Sequence, residues 1–171
     1  LLRAYRRPLD PAELEEALRR FRSFRSGGRD YFNSAREVIR VALISPKFLI
    51  RTERRRAGSD EYEVGSWALA GRLSYFLWSS MPDDELFSLA RTGKLSDPEV
   101  LEGQVDRMLR DPRAETLGYI FAAQWLGYEI LGTRIRLDPI DNPWCTDSLM
   151  AAMKKETSMF FNELIRENRP V

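Results

Sequence analysis

Apolar residues recur along most of the chain at intervals of three and four, the period of an amphipathic helix. No stretch alternates apolar and polar residues long enough to read as a strand. The first helical segment opens at Asp10-Pro11-Ala12-Glu13, where Asp10 suits the N-cap, Pro11 the first helical position, and Glu13 completes a capping box. Leu14, Ala17, Leu18 and Phe21 follow at helical spacing, and Gly27-Gly28 ends the segment. Asp30 opens the next, with Phe32, Ala35, Ile39, Ala42 and Leu43 as its expected buried stripe. Pro46 stops it, because the residue before a proline is pushed out of the helical region. Phe48-Leu49-Ile50 reads as a single turn or as an extended link that plugs the core. Residues 51–58 form a charged connector. Asp60 and Glu63 then make a second capping box ahead of a central helix running to about Trp78. Leu69, Leu73, Phe76 and Leu77 lie on one side of that helix, and Ala68 and Gly71 are small enough to admit another helix closely.

Ser79-Ser80-Met81-Pro82 interrupts the central helix. Asp83-Asp84-Glu85 occupy the first turn of the next one, where carboxylates complement the positive end of the helix dipole, and Leu86 and Leu89 carry its apolar face to Gly93. Asp97-Pro98 and Asp111-Pro112 start two more helices. Leu101, Val105 and Met108 face inward on the first, and Leu117, Phe121, Trp125 and Tyr128 on the second. Residues 132–144 form a loop, after which Thr146 caps a last helix expected to bury Leu149, Met153, Phe160 and Leu164. The spacing of the Asp-Pro starts is irregular, so they are cap chemistry rather than an internal repeat. The expected fold is all-α: an irregular bundle of about seven helices with short Pro- and Gly-containing connections. A small basic helical hairpin domain, residues 1–58, is expected to dock on a larger helical bundle domain, residues 59–171. The two share a core through Phe48-Leu49-Ile50 if they form one unit.

Composition narrows the class without naming an activity. With 43% hydrophobic and 31% charged residues, the 171-residue chain is globular rather than disordered. No apolar run approaches the roughly 20 residues that a membrane span needs. The chain lacks an initiator Met and an apolar leader, and its larger domain is expected to be truncated at its C-terminal side. It therefore reads as part of a longer polypeptide, and its start says nothing about location. The net charge of +1 conceals an asymmetry: residues 1–60 carry 15 Lys/Arg against 8 Asp/Glu, and residues 61–171 carry 12 against 18. Because the basic residues are interleaved with acids, the excess reads as two halves of opposite sign rather than as a nucleic-acid footprint.

There is no histidine. A Ser-His-Asp triad, a Cys-His pair and a His-ligated metal are thereby excluded from this chain. The lone Cys145 forbids an intrachain disulfide and reads as a small buried hydrophobe rather than a nucleophile. Asp83-Asp84-Glu85 is the one tight carboxylate cluster and the weak metal candidate, although a hard cation needs about six to eight oxygens and helix-start electrostatics accounts for all three acids. Asp138 and Asp141 are a second, weaker calcium candidate in a Pro-rich loop. Arg54-Arg55-Arg56 and Trp144 are the candidates for contact with a partner, set against a solvated connector and a partly exposed loop ring. Of the four tryptophans, the other three are expected in the core.

The run from Gly71-Arg72-Leu73-Ser74-Tyr75-Phe76-Leu77-Trp78 through Ser79-Ser80-Met81-Pro82-Asp83-Asp84-Glu85-Leu86 resembles a block in planctomycete cytochrome-c-associated multidomain proteins. Further matching runs follow in order, among them Gln104-Val105-Asp106-Arg107-Met108-Leu109, Phe121-Ala122-Ala123-Gln124-Trp125-Leu126-Gly127 and Glu156-Thr157-Ser158-Met159-Phe160-Phe161. Upstream, Arg3-Ala4-Tyr5-Arg6-Arg7-Pro8-Leu9 and Ala42-Leu43-Ile44-Ser45-Pro46-Lys47-Phe48-Leu49 look like the small domain that precedes that block. The resemblance implies two consecutive helical domains of unknown function in an exported protein, periplasmic or at the cell surface. It also implies haem c in a separate module, because Cys-x-x-Cys-His is absent here. No catalytic or cofactor-binding residue follows from it. The expected role is a non-catalytic structural and interaction module whose partners are other domains of the same polypeptide or another protein, with no membrane span. The alternative is part of an oxidoreductase or hydrolase completed by other domains, which a pocket lined by Arg72, Asp83 and Asp84 would favour.

Overall fold

The computed structural model describes residues 1–50, 64–138 and 140–168. These residues form an all-α bundle. Among them are nine α-helices, joined in places by 3-10 and π turns, and the one β-type pairing is an isolated bridge between Leu131 and Ile135. Helices α1 (Leu2–Tyr5), α2 (Pro11–Ser26), α3 (Tyr31–Leu43) and α4 (Pro46–Leu49) come first in the chain, a first group by order. Helices α5 (Ser66–Trp78), α6 (Asp84–Thr92), α7 (Pro98–Arg110), α8 (Ala123–Leu126) and α9 (Asp147–Arg166) make the second.

Helix starts follow cap chemistry closely. Asp10 accepts from the Glu13 amide while Glu13 reaches back to the Asp10 amide, a complete capping box. Asp30, Asp83, Asp97 and Thr146 cap α3, α6, α7 and α9, each side chain accepting from a first-turn amide. Ser45 with Pro46 opens the single turn α4. The expected capping box of Asp60 and Glu63 and the connector 51–58 lie outside the described residues, and α5 begins behind Gly65 with no side-chain cap.

Helix α5 is apolar nearly all round, and so it is central. Its Ala70, Leu77 and Trp78 meet Leu86 and Ala90 of α6, Leu95, Met108 of α7, Ala114 and Leu117 in one core cluster. Trp78 is 2% exposed and its Nε1 donates to the Met108 carbonyl at 3.0 Å.

Several expected faces are turned. Asp111 caps a 3-10 turn (Pro112–Glu115) that leads into a π-helix (Leu117–Ala122), not a continuous α-helix. A π turn holds more residues than an α turn, so the buried positions are Leu117 and Gly118, then Ala122 and Ala123, five apart. Trp125, expected inside, is 68% exposed. On α9 the buried residues are Met150 and Ser158, with Phe161 and Ile165 packed on the core, while Leu149, Met153 and Phe160 are exposed. On α3 the seam is Ser34 and Ala42, and Phe32, Ile39 and Leu43 face out. The physical reason is shared. An apolar stripe wider than one seam can be buried only by two neighbours, and α3 packs chiefly on α2. Leu49 and Ile50 are also exposed, so Phe48-Leu49-Ile50 does not plug a shared core.

Candidate functional site

A face of α5 that adjoins its core face carries Trp67, Ala68, Gly71, Arg72, Tyr75 and Phe76, in rows one helical turn apart. Across from it stand Tyr5, Arg6 and Arg7 at the end of α1, and Lys47 and Ile50 at α4. Between the two walls opens a cleft of about 730 Å³, within the roughly 300–1,000 Å³ range of ligand pockets. Gly71 was expected to admit a packed helix. Among the described residues a Cβ placed there would meet nothing within 4 Å, although the position is buried, so no described helix packs closely on it.

Arg6 is the fixed point of the site. It ends α1 in the left-handed region, φ 56°, a conformation that non-glycine residues adopt only when surroundings hold them there. Its Nη2 donates to the Lys47 and Phe48 carbonyls at 3.1 and 2.9 Å, and its Nη1 to the Tyr75 hydroxyl at 3.4 Å. Its guanidinium lies 5.8 and 5.7 Å from the Phe48 and Tyr75 ring centres. Each of these partners is uncharged, and among the described residues no carboxylate pairs with the half-buried charge.

The wall behind Arg6 is held by Glu13, whose side chain is 7% exposed. Glu13 takes a bidentate pair from Arg7, at 2.7 and 2.8 Å, together with the Lys47 ammonium and the Asp10 amide. The Arg7 hydrogen bond, against the opposing effect of burial and aided by Lys47 and Asp10, holds the Glu13 carboxyl well below the usual carboxylate range. Arg7 is raised in turn, mainly by the same bond. Together Arg6, Arg7 and Lys47 set three cations against one carboxylate. A guanidinium with planar donors and aromatic rings beside it is recognition chemistry for carboxylates and other oxyanions.

The weak metal candidates go elsewhere. Asp83 caps α6, accepts from Arg107 at 2.8 and 3.3 Å, and lies near Arg113. Burial pushes its carboxyl up, but the Arg107 hydrogen bond, the Leu86 amide and the two guanidinium charges together leave it lowered. Asp84 reaches Arg3 at 3.1 Å, and Glu85 accepts from Gln104 at 2.8 Å. Among the described residues no three His, Cys, Asp or Glu side chains gather in a metal-holding group. Of the trio Arg72, Asp83 and Asp84, only Arg72 lines the cleft. Arg107 and Arg113 flank the Trp78 ring at 5.5 and 3.5 Å, so the acid cluster belongs to the corner between α5 and α6.

Trp144 is 61% exposed in the loop before α9, and Cys145 beside it is a free, half-buried thiol. Asp138 accepts from the Ile140 amide in the same loop. Arg54, Arg55 and Arg56 lie outside the described residues. Sequence reasoning passed over Arg6, Lys47 and Tyr75. The available signal was the cluster Tyr5-Arg6-Arg7 just before Pro8, together with a glycine inside the aromatic face of α5.

Comparison with known families adds context. The family PSD4, "Protein of unknown function (DUF1592)", matches residues 64–171, and PSD5, "Protein of unknown function (DUF1595)", matches residues 1–53. No curated protein and no solved structure matches the chain. The cleft is therefore built by one residue set from each of two matched segments.

Proposed function

The chain belongs to the DUF1592 family and carries a DUF1595 segment ahead of it, and from that premise we propose that it is a non-catalytic interaction module of a larger exported protein. The observation that carries this reading is the lining of the cleft. Its described polar side chains are guanidinium, ammonium and phenol groups, donors suited to holding anionic partners. The partner in this reading is another domain of the same polypeptide. The ordered likeness to cytochrome-c-associated planctomycete proteins supports export, to the periplasm or cell surface, and supports haem c in a separate module. A c-type attachment does not fit this chain, which has no histidine and one cysteine.

The test is to express the remaining domains of the full-length polypeptide separately and titrate them calorimetrically into this chain. Association with a Kd of about 1–100 μM is expected, the range of transient domain interfaces. No heat of binding at about 0.5 mM would contradict the reading. Hydrolase or reductase activity that arises only on mixing the pieces would support the enzymatic alternative instead.

A further inference from the structure

We infer that the cleft and the row of rings beside it form one recognition surface for an acidic linear peptide segment that also carries an aromatic side chain. This rests on the interaction reading above and specifies the partner's chemistry. Arg6 supplies the anchor. Of its five N–H donors, three are taken by the Lys47 carbonyl, the Phe48 carbonyl and the Tyr75 hydroxyl. Among the described residues its charge pairs with no carboxylate, and its position is set by two rings and a left-handed backbone. An anion entering the cleft meets a donor that is already oriented, so little ordering opposes binding.

The second half of the surface begins where the first ends. Phe76 lines the cleft and meets Phe121 edge-on at 5.6 Å, and Phe121 stacks on Trp125 at 5.9 Å. Phe161 closes the group at 6.3 Å from Phe121. Phe76 and Phe121 are exposed along with Trp125, so the rings form a shelf leading outward from the cleft. Exposed aromatic clusters of this kind mark contact surfaces. Cations stand at one end and rings at the other, which selects a segment with acids followed by an aromatic residue. A uniform polyanion fits less well, because the shelf belongs to the half of the chain that carries 12 Lys/Arg against 18 Asp/Glu.

Fluorescence anisotropy with a labelled hexapeptide, Asp-Glu-Asp-Gly-Phe-Phe, tests the assignment. Controls are Lys-Arg-Lys-Gly-Phe-Phe, Asp-Glu-Asp-Gly-Ser-Ser, a single-stranded DNA 20-mer and anionic phospholipid vesicles. The acidic aromatic peptide is expected to bind with a Kd below about 100 μM at low salt. The serine peptide is expected to bind about tenfold more weakly and the basic peptide not at all. Gly71→Leu adds bulk at a helical position that lines the cleft and is expected to weaken binding about tenfold while keeping the helical circular dichroism of the parent. Arg6→Lys should weaken it by a similar factor and Trp125→Ala about threefold. The assignment is overturned by absent binding of the acidic peptide, by unchanged affinity in Gly71→Leu, or by DNA or vesicle binding that the same variants abolish in place of peptide binding. If flanking domains bind the chain but Gly71→Leu binds them equally well, the interaction reading stands and the cleft assignment falls.

Discussion

Two side chains hold the most structure for their size. Trp78 fills the core, donates to the Met108 carbonyl, and is flanked by Arg107 and Arg113. Trp78→Ala removes the ring and leaves two guanidinium groups facing a cavity, so a loss of about 3–5 kcal/mol is expected in denaturant unfolding. A loss under about 1 kcal/mol would contradict its place in the core. Glu13 acts through charge. Its carboxyl, ordinarily at 4.5, is depressed in the fold, and Asp111, ordinarily at 3.8, is held at about 2, chiefly by its hydrogen bond to Arg113. A depressed carboxylate contributes stability that is present above its unfolded value and lost as pH falls toward its folded value. Thermal stability should therefore be level near neutrality and fall between pH about 4.5 and about 2. Glu13→Gln should cost about 1–3 kcal/mol at pH 7 and flatten that decline. An unchanged acid limb in the variant would show that Glu13 does not hold the wall.

At the scale of elements, what was legible in the sequence was the ends of helices more than their faces. Asp10, Asp30, Asp97 and Thr146 cap where local chemistry placed them, because a cap needs only the next three residues, while Asp83, expected in the first turn, is itself the cap of α6. Faces depend on neighbours that spacing alone does not name. Phe160 and Met153 continue a plausible stripe on α9, yet the helix turns its Met150–Ser158 side inward. The cause lies in the π segment. Gly118 sits against α9, its amide donating to Asn162 Oδ1 at 2.9 Å while its carbonyl accepts from the Tyr128 hydroxyl. A Cβ on Gly118 would lie 2.6 Å from the Ser158 carbonyl oxygen and 2.7 Å from Asn162 Nδ2. Gly118→Ala is therefore expected to cost at least about 2 kcal/mol and lower Tm by roughly 4–8 °C, read by calorimetry. A Tm equal to the parent's would mean that α9 does not lie so close. The π turn also explains why Trp125 reaches the surface: an added residue per turn rotates everything after it.

For the whole molecule, the opposite charges of the two halves are a weak guide to how they meet. The one ion pair from α1 to α6, Arg3 to Asp84, is exposed on both sides and contributes little. The described link through Arg6 runs instead to the Tyr75 hydroxyl and to the α4 carbonyls, with rings on either side. The same residue thus joins the halves and presents the charge in the cleft between them. The cleft was not legible beforehand because Arg6 and Tyr75, on its two walls, are 69 residues apart in sequence. No helix among the described residues is long and apolar enough to cross a membrane. In the recognition proposed above, Arg6 receives an anionic group of a partner. The most direct measurement is the arginine Nε–Hε region of a proton–nitrogen NMR spectrum, with the Arg6 signal assigned by its loss in Arg6→Lys, followed while the acidic aromatic peptide is added. This signal is expected to shift and saturate, and in Gly71→Leu to need about tenfold more peptide for the same shift. A fixed Arg6 signal at peptide concentrations that saturate other shifts would contradict it.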